Sequence, residues 1–519
     1  MDQITKLFSE NPEIVIVHVA DTYFIEETRV YDKIDLPGFA RFNSLLHSIK
    51  SHPLIQENKT SVIIFHGGDF LFPSLMSANF EGKQMIDVMN SCKFDYCTLG
   101  NHDFEQGNTI LYSRMSEANF DIICCNIKDS RNDNIKIKDY VIYNDKDDLP
   151  FAAIIGIAGK ATLEKASQND FETNSVESAL KEIIETIKKN HTTVSHLIIL
   201  SHMSNREDVK LQEWVKSNWD GFIYILGGHD HNNLLNYNEN CPKSILVKGE
   251  SNCRTIQIIG LKKEEEKSID KNHLPQNIVI MNSDQLSEFA PDSQLQGKVS
   301  QWEKKLKQIL DEPNSDRVIK KFPQGTILDA TELQLRKGST NFGNFIADCM
   351  QNFATSDIAF INSGHFRGDR KIGSEMRKSN VRRIFALDKK DLLVKIPISK
   401  KECIGFLKHA FSEEGRGKIL QISKDTQKIL ENSRDEDNLS LVTLWDMIRT
   451  NDDGFTTILA DSRKKSVEEI TTEIENQIIP NSSIFDILEK SSDVEYDSTT
   501  RISVASFDEF LTNIERKSG

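Results

Sequence analysis

The chain has 519 residues, 38% of them apolar and 28% charged, with a formal net charge of −15. That length exceeds the size at which a single hydrophobic core stops growing, so two large domains are expected. No apolar run approaches the ~20 residues that cross a bilayer, and the acidic balance argues against a nucleic-acid polymer as main partner, since polyanion binders carry a basic face. Small phosphates stay open, because metal ions and a few arginines reverse a local field. The opening MDQITKLFSENPE lacks the basic and then apolar layout of a secretion signal, and the 8 cysteines show no paired spacing. They read as reduced thiols, so a cytoplasmic chain without a membrane partner is expected.

In chain order, five short polar clusters each follow an apolar run. Asp21 follows IVIVHVA, Gly67-Gly68-Asp69 follows SVIIF, and Gly100-Asn101-His102-Asp103 follows FDYCTL. Ser201-His202 then follows HLIIL, and Gly228-His229-Asp230-His231 follows FIYIL. Short continuous apolar runs are the mark of buried strands, and ligands collect where strands end and loops leave the layer. Strand followed by ligand, five times over, predicts a metal site along one edge of a sheet. Carboxylate, amide and imidazole donors suit Mn, Zn, Fe or Co, and the absence of Cys from the clusters argues against a structural zinc site.

These clusters, with the stretch GGDFLFPSLMSANFEGKQMIDVMNSCKFDYCTLGNHDFE, resemble the calcineurin-like metallophosphoesterases of the 5'-nucleotidase type. The resemblance implies an α/β fold: an N-terminal metallophosphoesterase β-sandwich flanked by helices, then a C-terminal α+β substrate-binding domain. It implies two divalent metal ions (Mn, Zn, Co, Fe or Mg), with Asp69 bridging both, Asp21 and His231 on one, and Asn101, His202 and His229 on the other. His102 would be the catalytic imidazole and Glu105 its orienting partner. Two positions depart from the pattern: Tyr23 stands where many members have His, and Glu105 where the family usually has Asp.

The catalytic domain is expected over 13–262, closing where TIQIIGL gives way to the mixed-charge segment KKEEEKSIDKN. A linker and connecting helix would fill 263–317. There Val299, Trp302, Leu306, Ile309 and Leu310 recur at helical spacing as one apolar stripe, with the lysines facing water. The substrate-binding domain is expected over 318–515, with a second helical stripe of Phe342, Phe345, Ile346, Met350 and Phe353. LQLRKGSTNFGNFIADCM resembles the start of the family's second domain, NSGHFRGD its phosphate- or sugar-binding turn, and NDDGFTTI its aromatic turn. On that resemblance Arg336, Asn362 and Arg367 are candidates for substrate contact, and Phe455 for stacking on a nucleobase.

The expected activity is a metal-dependent phosphohydrolase releasing phosphate from nucleotides or related small phosphate esters. The alternatives are a non-catalytic nucleotide- or phosphate-binding protein that keeps the fold, and a sugar-phosphate phosphatase.

Overall fold

The structure is a computed structural model that describes residues 2–30, 33–129, 137–145, 147–238, 241–262, 277–310, 317–385, 392–412, 417–449, 454–480, 482–491, 494–497 and 501–516. The chain divides into two compact units, Met1–Ile309 and Leu310–Gly519.

In the first unit, a 7-stranded and a 6-stranded sheet lie face to face. Strand Ile14–Val19 runs parallel to Ser61–His66, which is followed by Tyr96–Cys97 and Asp121–Ile123, also parallel. On its other side Ile14–Val19 pairs antiparallel with Thr255–Leu261. The second sheet centres on three parallel neighbours, Pro150–Ala158, His196–His202 and Phe222–Gly227. Alternation explains why these strands are apolar throughout. Ile198 and Leu200 point into the layer shared with Ile14, Ile16, Ile63 and Phe65, while Leu197 and Ile199 point the other way. There they meet Leu180, Ile183, Ile184 and Ile187 of the helix Val176–Asn190 and Leu211 and Val215 of the helix Asn205–Lys216.

Two expectations are corrected here. The five ligand-bearing strands do not share one sheet: Ile14–Val19, Ser61–His66 and Tyr96–Cys97 belong to the first, His196–His202 and Phe222–Gly227 to the second. A continuous apolar run reports burial on both faces but not which layer a strand joins. The sheet also continues past residue 262, because Ile278–Asn282 pairs antiparallel with Thr255–Leu261. The segment KKEEEKSIDKN falls, from residue 263, outside the described residues.

The helix Ser293–Leu310 buries Val299, Trp302 and Leu306, as the stripe predicts. Trp302 packs against Phe80 at 5.1 Å and donates its indole N–H to Asp87 at 2.9 Å. Ile309, at 54% exposed, departs from the expected stripe, and the side chain of Leu310 lies outside the described residues. Lys298 does not simply face water; its ammonium pairs with Asp87 at 2.7 Å.

The second unit has its own core around a 4-stranded sheet in the order Leu393–Ser399, Asn438–Leu444, Ile358–Asn362, Leu420–Ile422. Phe342, Phe345, Ile346 and Met350 of the helix Asn341–Ala354 are buried in it, with Phe353 partly so. No helix among the described residues is long and apolar enough to cross a membrane.

Candidate metal centre

Strand ends of both sheets bring Asp21, Asp69 and His202 together, each 1% exposed or less, with one ligand atom apiece within 4.8 Å of one another. The His202 Nε2 lies 3.1 Å from Asp69 Oδ2 and 3.9 Å from Asp21 Oδ1. His231 Nε2 is 3.3 Å from Asp21 Oδ1. On the other flank His229 Nδ1 is 3.0 Å from Asn101 Oδ1, and the His229 and His202 rings are 5.2 Å apart. All six residues expected as ligands therefore converge on one place.

The backbone is bent to achieve this. Asp21, Asp69, His229 and His231 have φ of 53°, 58°, 83° and 57°, left-handed values that non-glycine residues adopt at an energetic penalty and that gather at functional sites. Gly100 is needed for a different reason: a Cβ there would stand 2.0 Å from Asp69 Oδ1.

The residues fit a divalent cation. His202 Nδ1 donates to the Gly67 carbonyl at 2.8 Å, and Nε2 is aimed at two carboxylates; burial lowers the pKa of this imidazole, but the Asp69 and Asp21 charges outweigh it and raise it to about 10. Two carboxylates that draw a proton onto this imidazole offer the same place to a divalent cation, which would displace that proton and leave the imidazole neutral as a ligand. Charge points the same way. Burial works against the Asp69 carboxylate, yet the imidazoles of His202 and His102 hold it well below the usual range. Asp21 is likewise lowered, by His231 against the effect of burial. Burial, helped by His202, pushes His229 down to about 4, which keeps its imidazole neutral as a ligand must be.

His102 and Glu105 stand beside this cluster. The His102 backbone N–H donates to Asp69 Oδ1 at 2.8 Å, and its ring Nδ1 lies 2.5 Å from Glu105 Oε1. The glutamate thus reaches the histidine despite its extra methylene. Tyr23, only 2% exposed, places its hydroxyl 2.9 Å from His231 Nε2 and 3.4 Å from Asp69 Oδ2, and its ring meets His102 edge-on at 6.0 Å.

Several residues that shape the site carry no role in the sequence reading. Asp103 accepts the backbone N–H groups of Asp69, Phe70, Leu71 and Gly100 at 2.8–3.0 Å, tying two ligand loops to one carboxylate. Its place in the Gly-Asn-His-Asp cluster was the available signal. His66 accepts from Gly68 N–H through Nδ1 at 3.2 Å, so its Nε2–H donates to Thr22 Oγ1 at 2.8 Å and links the Asp21 and Asp69 loops. Asn252 donates its N–H to the Asp21 carbonyl and accepts from Tyr23 N–H, at 3.0 and 2.9 Å. Nothing local in the sequence announces that contact.

In the second unit, Arg336 follows the short helix Glu332–Leu335 and lies 3.5 Å from Glu332. Asn362 ends its strand, 3% exposed, with its amide oxygen against the His365 ring. The Arg367 N–H donates to the Ile384 carbonyl at 2.7 Å. Phe455 corrects the expectation of a stacking face. It is 0% exposed and packs against Phe406 at 5.2 Å and edge-on to His409 at 5.5 Å, so its ring is part of the domain core.

A sandwich of two mixed sheets with buried carboxylates and imidazoles at the strand ends defines a metallophosphoesterase. Residues 14–233 match the calcineurin-like phosphoesterases, and residues 318–397 match the 5'-nucleotidase C-terminal domain. The chain belongs to the calcineurin-like phosphoesterases, in the two-domain arrangement that ends in a 5'-nucleotidase C-terminal domain. Membership implies divalent metal ions. Over 217 residues it is 25% identical to the NAD 5'-nucleotidase of Haemophilus influenzae, covering 39% of this chain and 34% of that one. Over 373 residues it is 23% identical to the 5'-nucleotidase of Bos taurus, covering 66% of this chain and 60% of that one. The matched stretches thus span less than two thirds of these relatives. The fold is shared with a 5'-nucleotidase precursor from Thermus thermophilus, at a TM-score of 0.69 and 17% identity over 94% of this chain and 99% of that one.

Proposed function

We propose that the chain is a metal-dependent phosphohydrolase that releases phosphate from nucleotides or related small phosphate esters. The observation that carries this reading is the buried cluster of Asp21, Asp69 and His202, whose ligand atoms lie within 4.8 Å of one another. Two divalent ions, of unassigned identity, would be held with Asp69 shared, Asp21 and His231 on one side, and Asn101, His202 and His229 on the other. When bound, such ions supply an activated water and neutralise charge on the phosphoryl oxygens. The chain's own residues do the rest. Glu105 holds His102 Nδ1, so proton donation to the leaving oxygen falls to Nε2. The same imidazole stabilises charge on the phosphoryl group.

We assign the chemistry to the domain expected over 13–262, whose sheet is extended by the strand Ile278–Asn282, and substrate contact to 318–515. Arg336 and Arg367 would present planar forks to phosphate or hydroxyl oxygens and Asn362 its amide. The burial of Phe455 favours one variant of this reading, in which the base is weakly selected and sugar phosphates are also turned over. The seven cysteines whose side chains are described are unpaired and buried, which supports a reducing compartment such as the cytoplasm.

The test is phosphate release from nucleoside monophosphates, cyclic nucleotides and sugar phosphates, with Mn, Mg, Zn and Co supplied separately. Hydrolysis that disappears in Asp69→Asn and His102→Ala supports the proposal. Full metal uptake without hydrolysis of any ester would favour a non-catalytic binder.

A further inference from the structure

Beneath the candidate ligands, a lysine and an aspartate are buried side by side. Lys248 ends the strand Cys241–Lys248, is 1% exposed, and places its ammonium 2.8 Å from Oδ2 of Asp208, which is 0% exposed. The same ammonium donates to the Met203 carbonyl at 2.7 Å and lies 3.8 Å from Asp230 Oδ2. Met203 directly follows His202, and Asp230 sits between His229 and His231. Asp230 Oδ2 also accepts the Asn205 N–H, so the turn after His202 and the His229–His231 turn share one anchor. Room for it comes from Gly227, opposite Lys248 in register: a Cβ there would stand 2.9 Å from Lys248 Cγ and 3.0 Å from Asp208 Oδ2.

Burying two charges is unfavourable, and an apolar pair of similar volume is commonly as stable or more so, so stability alone does not account for this pair. Its placement does. We propose that Lys248 is a positioning residue for the metal centre, fixing His202, His229 and His231 through the Met203 carbonyl and Asp230, with Asp208 as the counter-charge. The inference rests on the metal-dependent reading above. Partners of this kind, one step removed from the ligands, commonly change metal affinity by about 10–100-fold.

The experiment uses the whole 519-residue chain, stripped with chelator and titrated with Mn2+. K248M alone leaves a buried carboxylate unpaired and threatens folding, so the decisive variant is the charge-neutral pair K248M/D208N. It is expected to keep its thermal midpoint within a few degrees and to lose about 10–100-fold in Mn2+ affinity. At saturating Mn2+ its KM for a phosphate ester is expected to stay near wild type. Wild-type Mn2+ affinity in the folded pair overturns the assignment. Should the pair not fold, D230N decides, because it keeps Lys248 and Asp208 together: about tenfold weaker Mn2+ binding supports the role, and unchanged binding overturns it. A wild-type chain that neither takes up Mn2+ nor releases phosphate removes both this inference and the reading beneath it. Uptake and hydrolysis in the wild type beside an indifferent variant remove only the role of Lys248.

Discussion

The Tyr23 hydroxyl lies 2.9 Å from His231 Nε2, so a phenol occupies the flank of the site where many family members place an imidazole. A protonated phenol, with an ordinary pKa of about 10, is a poor ligand beside a neutral histidine. Tyr23→His should therefore raise the affinity of the chain for Zn2+ about tenfold, or about 1.4 kcal/mol, in a competition titration against a chelator. Unchanged affinity would place position 23 outside the ligand sphere.

Asp103 serves four backbone N–H groups of two ligand loops at once. Hydrogen bonds to a charged acceptor are strong, and buried donors left without one are destabilising. Asp103→Ala should lower stability by about 3 kcal/mol, seen in calorimetry as a fall of roughly 5–10 °C in the transition of the first unit. Metal uptake should weaken with it. A midpoint within a degree of wild type would show that the loops hold their shape unaided.

His196 predicts acid sensitivity far from the chemistry. It lies stacked on Phe151 and Phe222, with ring centroids at 4.4 and 4.8 Å, and burial pushes its pKa from 6.5 down to about 4. The unfolded chain takes up this proton at higher pH than the folded chain does. The stabilisation is thus complete above pH 6.5 and is lost as pH falls toward 4, by at most about 3 kcal/mol. His196→Phe should flatten that part of the profile of thermal midpoint against pH. An identical slope in wild type and variant would contradict the assignment.

The strand ends were legible because apolar runs such as HLIIL and FIYIL stop abruptly at residues that do not belong in a core. Their division between two sheets was not, since HLIIL is equally apolar whichever layer covers it. Ile278–Asn282 is too short a run, after too charged a segment, to declare itself a sheet strand. Asp103 was visible as part of a motif but not as an anchor. The hydrogen bond from Tyr23 N–H to Asn252 spans 229 residues, and no local spacing encodes it. Phe455 shows the opposite failure: a motif position suggested a ligand face, and packing against Phe406 and His409 used the ring instead.

That burial has its own consequence. Phe455→Ala should destabilise the second unit by about 3–5 kcal/mol, the usual range for emptying a core site of this size. The ratio of kcat/KM for a nucleoside monophosphate over ribose 5-phosphate should stay within about twofold. A tenfold fall in that ratio with an unchanged thermal midpoint would restore a base-stacking role.

The most direct measurement is anomalous diffraction from crystals grown with Mn2+. Two strong peaks a few ångströms apart are expected, bounded by Asp21, Asp69, Asn101, His202, His229 and His231, with Asp69 between them. A map with no peak inside that ring of side chains, or with manganese only on the protein surface, would contradict the account.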